Sequence, residues 1–155
     1  MKKIAVLVLA MSLGFVAVHA QSPAVDRKII SDSMKGIAAV QRTVSNQNAF
    51  EAVRAAHQAL IDGGMTEGVG FTEDHAIQQM YVNGLNLQEA IVNLAKSDIE
   101  QAKKAAKMVN HNYYVATFKK SMTLAEINRE AHIRFPNSRE NLNIQEALTR
   151  ASNRR

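Results

Sequence analysis

Leu85-Asn86-Leu87-Gln88-Glu89-Ala90-Ile91 returns almost letter for letter as Leu142-Asn143-Ile144-Gln145-Glu146-Ala147-Leu148. Each stretch carries a capping box, a short polar residue followed three positions later by Glu. In such a box each side chain satisfies a backbone N–H of the first helical turn. Thr123…Glu126 and Asn48…Glu51 have the same spacing. Leu85, Met122 and Leu142 stand just before three of the caps, where an apolar residue staples the chain entry onto the helix. The intervals between the three closest copies are 37 and 20 residues, which excludes a solenoid of fixed period. Two readings of the copies remain. Good helix starts converge on the same letters, or the chain is a decayed array of short helices that stack pairwise to bind protein.

Working outward from the boxes, apolar residues recur three and four apart, the period of a half-buried helix. Val25, Ile29, Ile30, Met34, Ile37 and Val44 make a first stripe, and Phe50, Val53, Ala56, Leu60 and Ile61 a second. The others are Ala76–Tyr81, Leu87–Leu94, Ile99–Val109, Leu124–Ala131 and Ile144–Ala151. The two prolines, Pro23 and Pro136, can both sit outside helix interiors. The expected fold is all-α: a single-domain bundle of five to seven short-to-medium helices over residues 21–152, with a frayed basic tail at 153–155. Tyr113-Tyr114-Val115-Ala116-Thr117-Phe118 resists, being aromatic and β-branched. A lone strand would lack a partner, so this segment is expected as helix or as an irregular apolar stretch on the bundle.

The N-terminus reads as an address. Met1-Lys2-Lys3 is basic, Ile4 to Val18 is apolar, and Val18-His19-Ala20 offers compact residues at a cleavage site. That layout predicts a secretory signal peptide over residues 1–20, cut between Ala20 and Gln21. The apolar run is short for a membrane span, which needs roughly 20 residues. The mature chain is expected in the periplasm or outside a bacterial cell, soluble and without a transmembrane segment. It has no cysteine, which excludes disulfides, a lipid-modified cysteine and thiol catalysis.

Charge is uneven along the chain. Residues 21–102 hold six Lys/Arg against ten Asp/Glu, and residues 103–155 hold eleven against four. Such a field attracts anions: lipid head groups, acidic glycans or an acidic protein. An exported chain rarely meets nucleic acid, so an envelope protein or anionic envelope component is the expected partner. Lys103, Lys104 and Lys107 fall at i, i+1 and i+4 of one helix, and Lys119 and Lys120 follow Tyr113 and Tyr114. With Arg129 these form the candidate binding set, against the plainer reading that they cover the polar faces of amphipathic helices.

Asp62-Gly63-Gly64-Met65-Thr66-Glu67-Gly68-Val69-Gly70 gathers four of the seven glycines and must break two helices. Gly63 is expected just past the end of the first of them, and the loop is a second candidate binding element. Its motif readings fail on chemistry. Gly63 and Gly68 have phosphate-loop spacing, but Val69 and Gly70 replace the Lys and Ser/Thr that chemistry requires. Asp62 and Glu73 frame a calcium loop, but Gly64 supplies no ligand and Glu67 replaces the turn glycine. No cofactor or metal is expected. His75 with Asp74 is the alternative metal pair, although Thr72, Glu73 and Asp74 make that segment a natural helix start. A hydrolase using Glu67, Glu73 or Asp74 is the alternative enzyme, glycan hydrolase-like, since paired carboxylates need only the right separation. The leading expectation is a non-catalytic adaptor or binding protein, with a periplasmic chaperone or stress protein as a further alternative.

Overall fold

The computed structural model describes residues 23–154. Among them it has an all-α architecture of five helices with one two-stranded antiparallel sheet. In chain order these are α1 (Pro23–Gly64), α2 (Glu73–Ser97), α3 (Ile99–Met108), β1 (Tyr113–Val115), a 3-10 turn (Ala116–Phe118), β2 (Lys120–Met122), α4 (Leu124–Arg134) and α5 (Ile144–Asn153). The signal segment at residues 1–20, the side chains of Val25, Ile29 and Ile30, and Arg155 lie outside the described residues. No helix among the described residues is long and apolar enough to cross a membrane.

The backbone divides into two compact units between Asn48 and Ala49. In the first, the described chain is the helix from Pro23 to Asn48, and none of its described side chains is fully buried. Met34 is 59% exposed, and Ile37 and Val44 are half-buried.

The second unit is built on α2. Its buried residues are Ala76, Ile77, Met80, Tyr81, Gly84, Leu87, Ile91, Leu94 and Ala95, one stripe at helical spacing. That stripe packs against α3, α4 and α5, and α3 packs in turn against α5. Val53 and Leu60 from the C-terminal half of α1 join the same core, as do Tyr113, Val115 and Met122 from the hairpin.

Polar side chains set the helix starts. The Thr72 hydroxyl accepts from the His75 N–H at 3.3 Å, while His75 Nδ1 accepts from the Thr72 N–H at 3.2 Å. Asp98 closes α2 and opens α3, accepting from the Gln101 N–H at 3.0 Å. Thr123 and Glu126 exchange both bonds of a capping box, each at 3.2 Å. Asn143 accepts from the Glu146 N–H at 3.1 Å. The expected starts at Asn48 and Asn86 are corrected: both residues lie inside helices that run straight through them. Neither follows a chain break, so the N–H groups a cap would serve already have helical partners. The first two stripes therefore fuse into α1 and the next two into α2.

Two further expectations are corrected. Tyr113–Val115 is a strand, paired antiparallel with Lys120–Met122 in the register Tyr113↔Met122, Tyr114↔Ser121, Val115↔Lys120. The missing partner lies just beyond the apolar run, reached through the 3-10 turn and Lys119 in the left-handed region at φ 51°. Gly63 is not past the helix end but inside the last turn of α1, where Asn83 crowds it. The positive φ values fall instead at Gly68 (151°) and Gly70 (81°), in the loop between α1 and α2.

Candidate functional site

Ten residues of α3 divide cleanly between two faces. Ala102, Ala105 and Ala106 are buried, and their small side chains let the helix lie close to α2 and α5. Lys103, Lys104 and Lys107 occupy the opposite, exposed side. α5 is held by Ile144 and Leu148 in the core, and turns Gln145, Thr149 and Asn153 outward. Between the two helices runs a groove of about 410 Å³, lined by the three lysines on one wall and by Gln145, Thr149, Ser152 and Asn153 on the other. Leu148 supplies an apolar floor. Glu100 is the one acid among the lining residues, and it meets Lys103 at 3.3 Å. Lys104 and Lys107 form no ion pair among the described residues.

The other basic candidates are placed elsewhere. Lys119 and Lys120 sit on the hairpin, with Lys120 Nζ 5.8 Å from the Phe118 ring centre. Tyr114 is 47% exposed on β1, while Tyr113 beside it is buried. Arg129 is exposed on α4. Arg134 is committed to the fold: its guanidinium meets Asp74 at 2.5 Å, Glu73 at 3.2 Å and Glu130 at 3.3 Å, and it lies 5.5 Å from the centre of Phe118. Arg150 pairs with Glu146 one turn away. The basic third is thus several separate surfaces; Arg139 and Arg150 line a hollow shared with Glu140 and Glu146, whereas the α3–α5 groove sets three lysines against a single acid.

Glu67, Glu73 and Asp74 are all exposed. The side chain of Arg134 bridges Glu73 and Asp74, so one guanidinium already engages both carboxylates. His75 Nδ1 serves the capping box, with the ring stacked on Phe71 at 5.8 Å. No group of three or more His, Asp or Glu suited to a metal gathers among the described residues. Gly64 is packed tightly against the Tyr114 carbonyl, and the Thr117 hydroxyl donates to the Thr66 carbonyl at 3.4 Å, so the glycine loop lies along the hairpin. Val69 and Met65 project from that loop.

A second concavity, of about 210 Å³, lies among α3, α4 and the segment before α5. Amide side chains in it and beside it hold the backbone of that segment. Asn128 Oδ1 accepts from the Leu142 N–H at 2.9 Å, and Gln88 holds both Asn143 N–H (2.8 Å) and Asn141 carbonyl (3.1 Å). Residues 135–143 have no regular structure, so these side chains replace the ladder their backbone lacks.

The residue signal that sequence spacing misses is the cluster of His57, His111 and Tyr113. The two imidazole centres are 5.4 Å apart, and His111 lies 4.5 Å from the Tyr113 ring. Burial, and then the neighbouring His111, push the His57 pKa below its ordinary value. Burial pushes the Tyr113 phenol up to about 12. No protein-family model, no curated protein and no solved structure matches this chain.

Proposed function

We propose that this chain is an exported, non-catalytic binding protein of the bacterial envelope, which engages an anionic partner through the groove between α3 and α5. The observation that carries the reading is that Lys103, Lys104 and Lys107 line one wall of a single concavity. Lysines scattered over a convex helix face would only be solvated. Lysines beside an apolar floor act where solvent is partly displaced, so their attraction for an anion is screened less. The sequence supports export, through the basic start, apolar run and compact residues of Met1–Ala20. An anionic envelope component or acidic envelope protein is then the partner such a groove would meet.

The test is retention on immobilised heparin, used as a generic polyanion, across a salt gradient. The wild-type chain should elute at a salt concentration that falls clearly for the K103Q/K104Q/K107Q variant. The K119Q/K120Q/R129Q variant, which removes the same number of charges elsewhere, should move less. Equal shifts for the two triple variants would mean that net charge, and not the groove, holds the polyanion.

A further inference from the structure

We propose that the α3–α5 groove takes an extended, acidic polypeptide segment whose carboxylates alternate along its chain. This deepens the reading above and rests on it.

Length is the first argument. From Glu100 to Lys107 the groove follows α3 for about 10 Å, and from Gln145 to Asn153 it follows α5 for about 12 Å, at ~1.5 Å per residue. An extended chain rises ~3.3 Å per residue, so the groove holds roughly three or four residues. Lys103 and Lys107 stand about 6 Å apart along the helix axis. Alternate side chains on one face of an extended segment are ~6.6 Å apart, so acids at i and i+2 meet lysines at i and i+4.

The opposite wall suits a peptide backbone. Gln145 and Asn153 each bring a carboxamide that both donates and accepts. The Thr149 hydroxyl spends its proton on the Gln145 carbonyl at 2.8 Å, which leaves its oxygen as an acceptor for a peptide N–H. With the acids turned to α3, the residue between them turns toward α5 and the Leu148 floor, where a small apolar side chain fits. Glu100 holds Lys103 only through a pair exposed on both sides, weak enough for an incoming carboxylate to compete with it. The acids therefore register on Lys103 and Lys107, the pair whose spacing along α3 matches alternate residues of an extended chain.

Phosphate-bearing partners match less well. The groove offers lysine point charges and no arginine fork among its lining residues.

The experiment uses the full chain and fluorescence anisotropy with a labelled Gly-Glu-Ala-Glu-Ala-Gly peptide. The competitors are Gly-Ala-Glu-Glu-Ala-Gly, inorganic pyrophosphate and phosphatidylglycerol vesicles. The alternating peptide should bind, should be displaced least by the other three, and should lose about tenfold in affinity in K103E/K107E. The neutral K103Q/K107Q variant, unchanged in circular dichroism, should lose less but in the same direction. Lysine-dependent binding of pyrophosphate or vesicles with no peptide binding would overturn the acidic segment while leaving an anion-binding groove. No lysine dependence for any probe, together with unchanged heparin retention in K103Q/K104Q/K107Q, would overturn both.

Discussion

His57 Nε2 lies 3.1 Å from the Tyr113 hydroxyl, and that hydroxyl donates its one proton to the Val109 carbonyl at 2.8 Å. The imidazole must therefore be the donor, which fixes the His57 proton on Nε2. A chain of two hydrogen bonds thus ties the C-terminal half of α1 to β1 and to the end of α3. The bond to Tyr113 survives protonation of His57, because Nε2 carries a proton in both states. The cost of protonation comes from burial and from His111 beside it. A histidine whose folded pKa is depressed contributes stability that is present above its unfolded value of 6.5 and is lost as pH falls through the folded value. Urea unfolding should therefore give a lower midpoint in mildly acidic buffer than at neutral pH, and H57Q should narrow that difference. A gap of the same size in H57Q would remove His57 from the account.

Tyr113 predicts the opposite flank. Its folded pKa of about 12 stands above the ordinary 10, so its contribution is full below 10 and is lost as pH rises toward 12. Y113F removes that alkaline loss. It also leaves the Val109 carbonyl and the His57 N–H without their partner, at a cost of about 1–3 kcal/mol near neutral pH. Unfolding curves at neutral and alkaline pH should converge for wild type and Y113F as the phenol ionises.

Arg134 gathers Glu73, Asp74 and Glu130 around one guanidinium whose side chain is only 23% exposed. These contacts, led by the hydrogen bond to Asp74, raise its pKa. They join the first turn of α2 to the last turn of α4. A single exposed pair is worth little, but a planar fork holding three carboxylates with an aromatic ring beneath it is a network. R134A should cost about 1–2 kcal/mol, and R134K should recover little of it, because an ammonium cannot hold the fork. A double-mutant cycle of R134A with E130Q should show coupling. Additive effects would reduce the clamp to surface decoration.

Replacing the real caps separates motif from context. T123A and N143A should each cost about 1 kcal/mol, read by thermal unfolding. N48A and N86A should cost nothing or stabilise slightly, since Ala is the better residue inside a helix. The four sites share one sequence pattern, so a uniform loss at all four would contradict the helix boundaries.

That contrast shows what the sequence could tell. The stripe spacing revealed the buried faces of α2, α3, α4 and α5, because burial on a helix repeats with the backbone's own period. The cap pattern overcounted starts, because a cap works only after something has broken the chain. Gly68 and Gly70 precede Thr72, the hairpin precedes Thr123, and the Pro136 segment precedes Asn143, whereas no such break precedes Asn48 or Asn86. Lys103, Lys104 and Lys107 were readable as one face from local spacing. Their opposing wall on α5, which begins 38 residues after Lys107, was not. Nor was the meeting of His57 with His111, since it depends on how α1 lies against the hairpin.

The glycines supply the sharpest packing test. A Cβ at Gly64 would stand 2.2 Å from the Tyr114 carbonyl oxygen, a backbone atom fixed by the β1–β2 ladder. One at Gly84 would stand 2.6 Å from Leu142 Cδ2, the end of a side chain that can rotate. One at Gly36 would meet nothing within 4 Å. G64A must therefore move either the end of α1 or the strand, and overpacking of this kind costs about 1–3 kcal/mol or more. G84A should cost less, because Leu142 can yield, and α2 gains the helix preference of Ala. G36A should raise helicity, with a local gain of about 0.5–1 kcal/mol. The expected order of stability is G36A, then G84A, then G64A, measured by unfolding of each single variant. A stable G64A would mean that α1 does not end against β1 as described, and with it would go the rigid seat of the His57–Tyr113 pair.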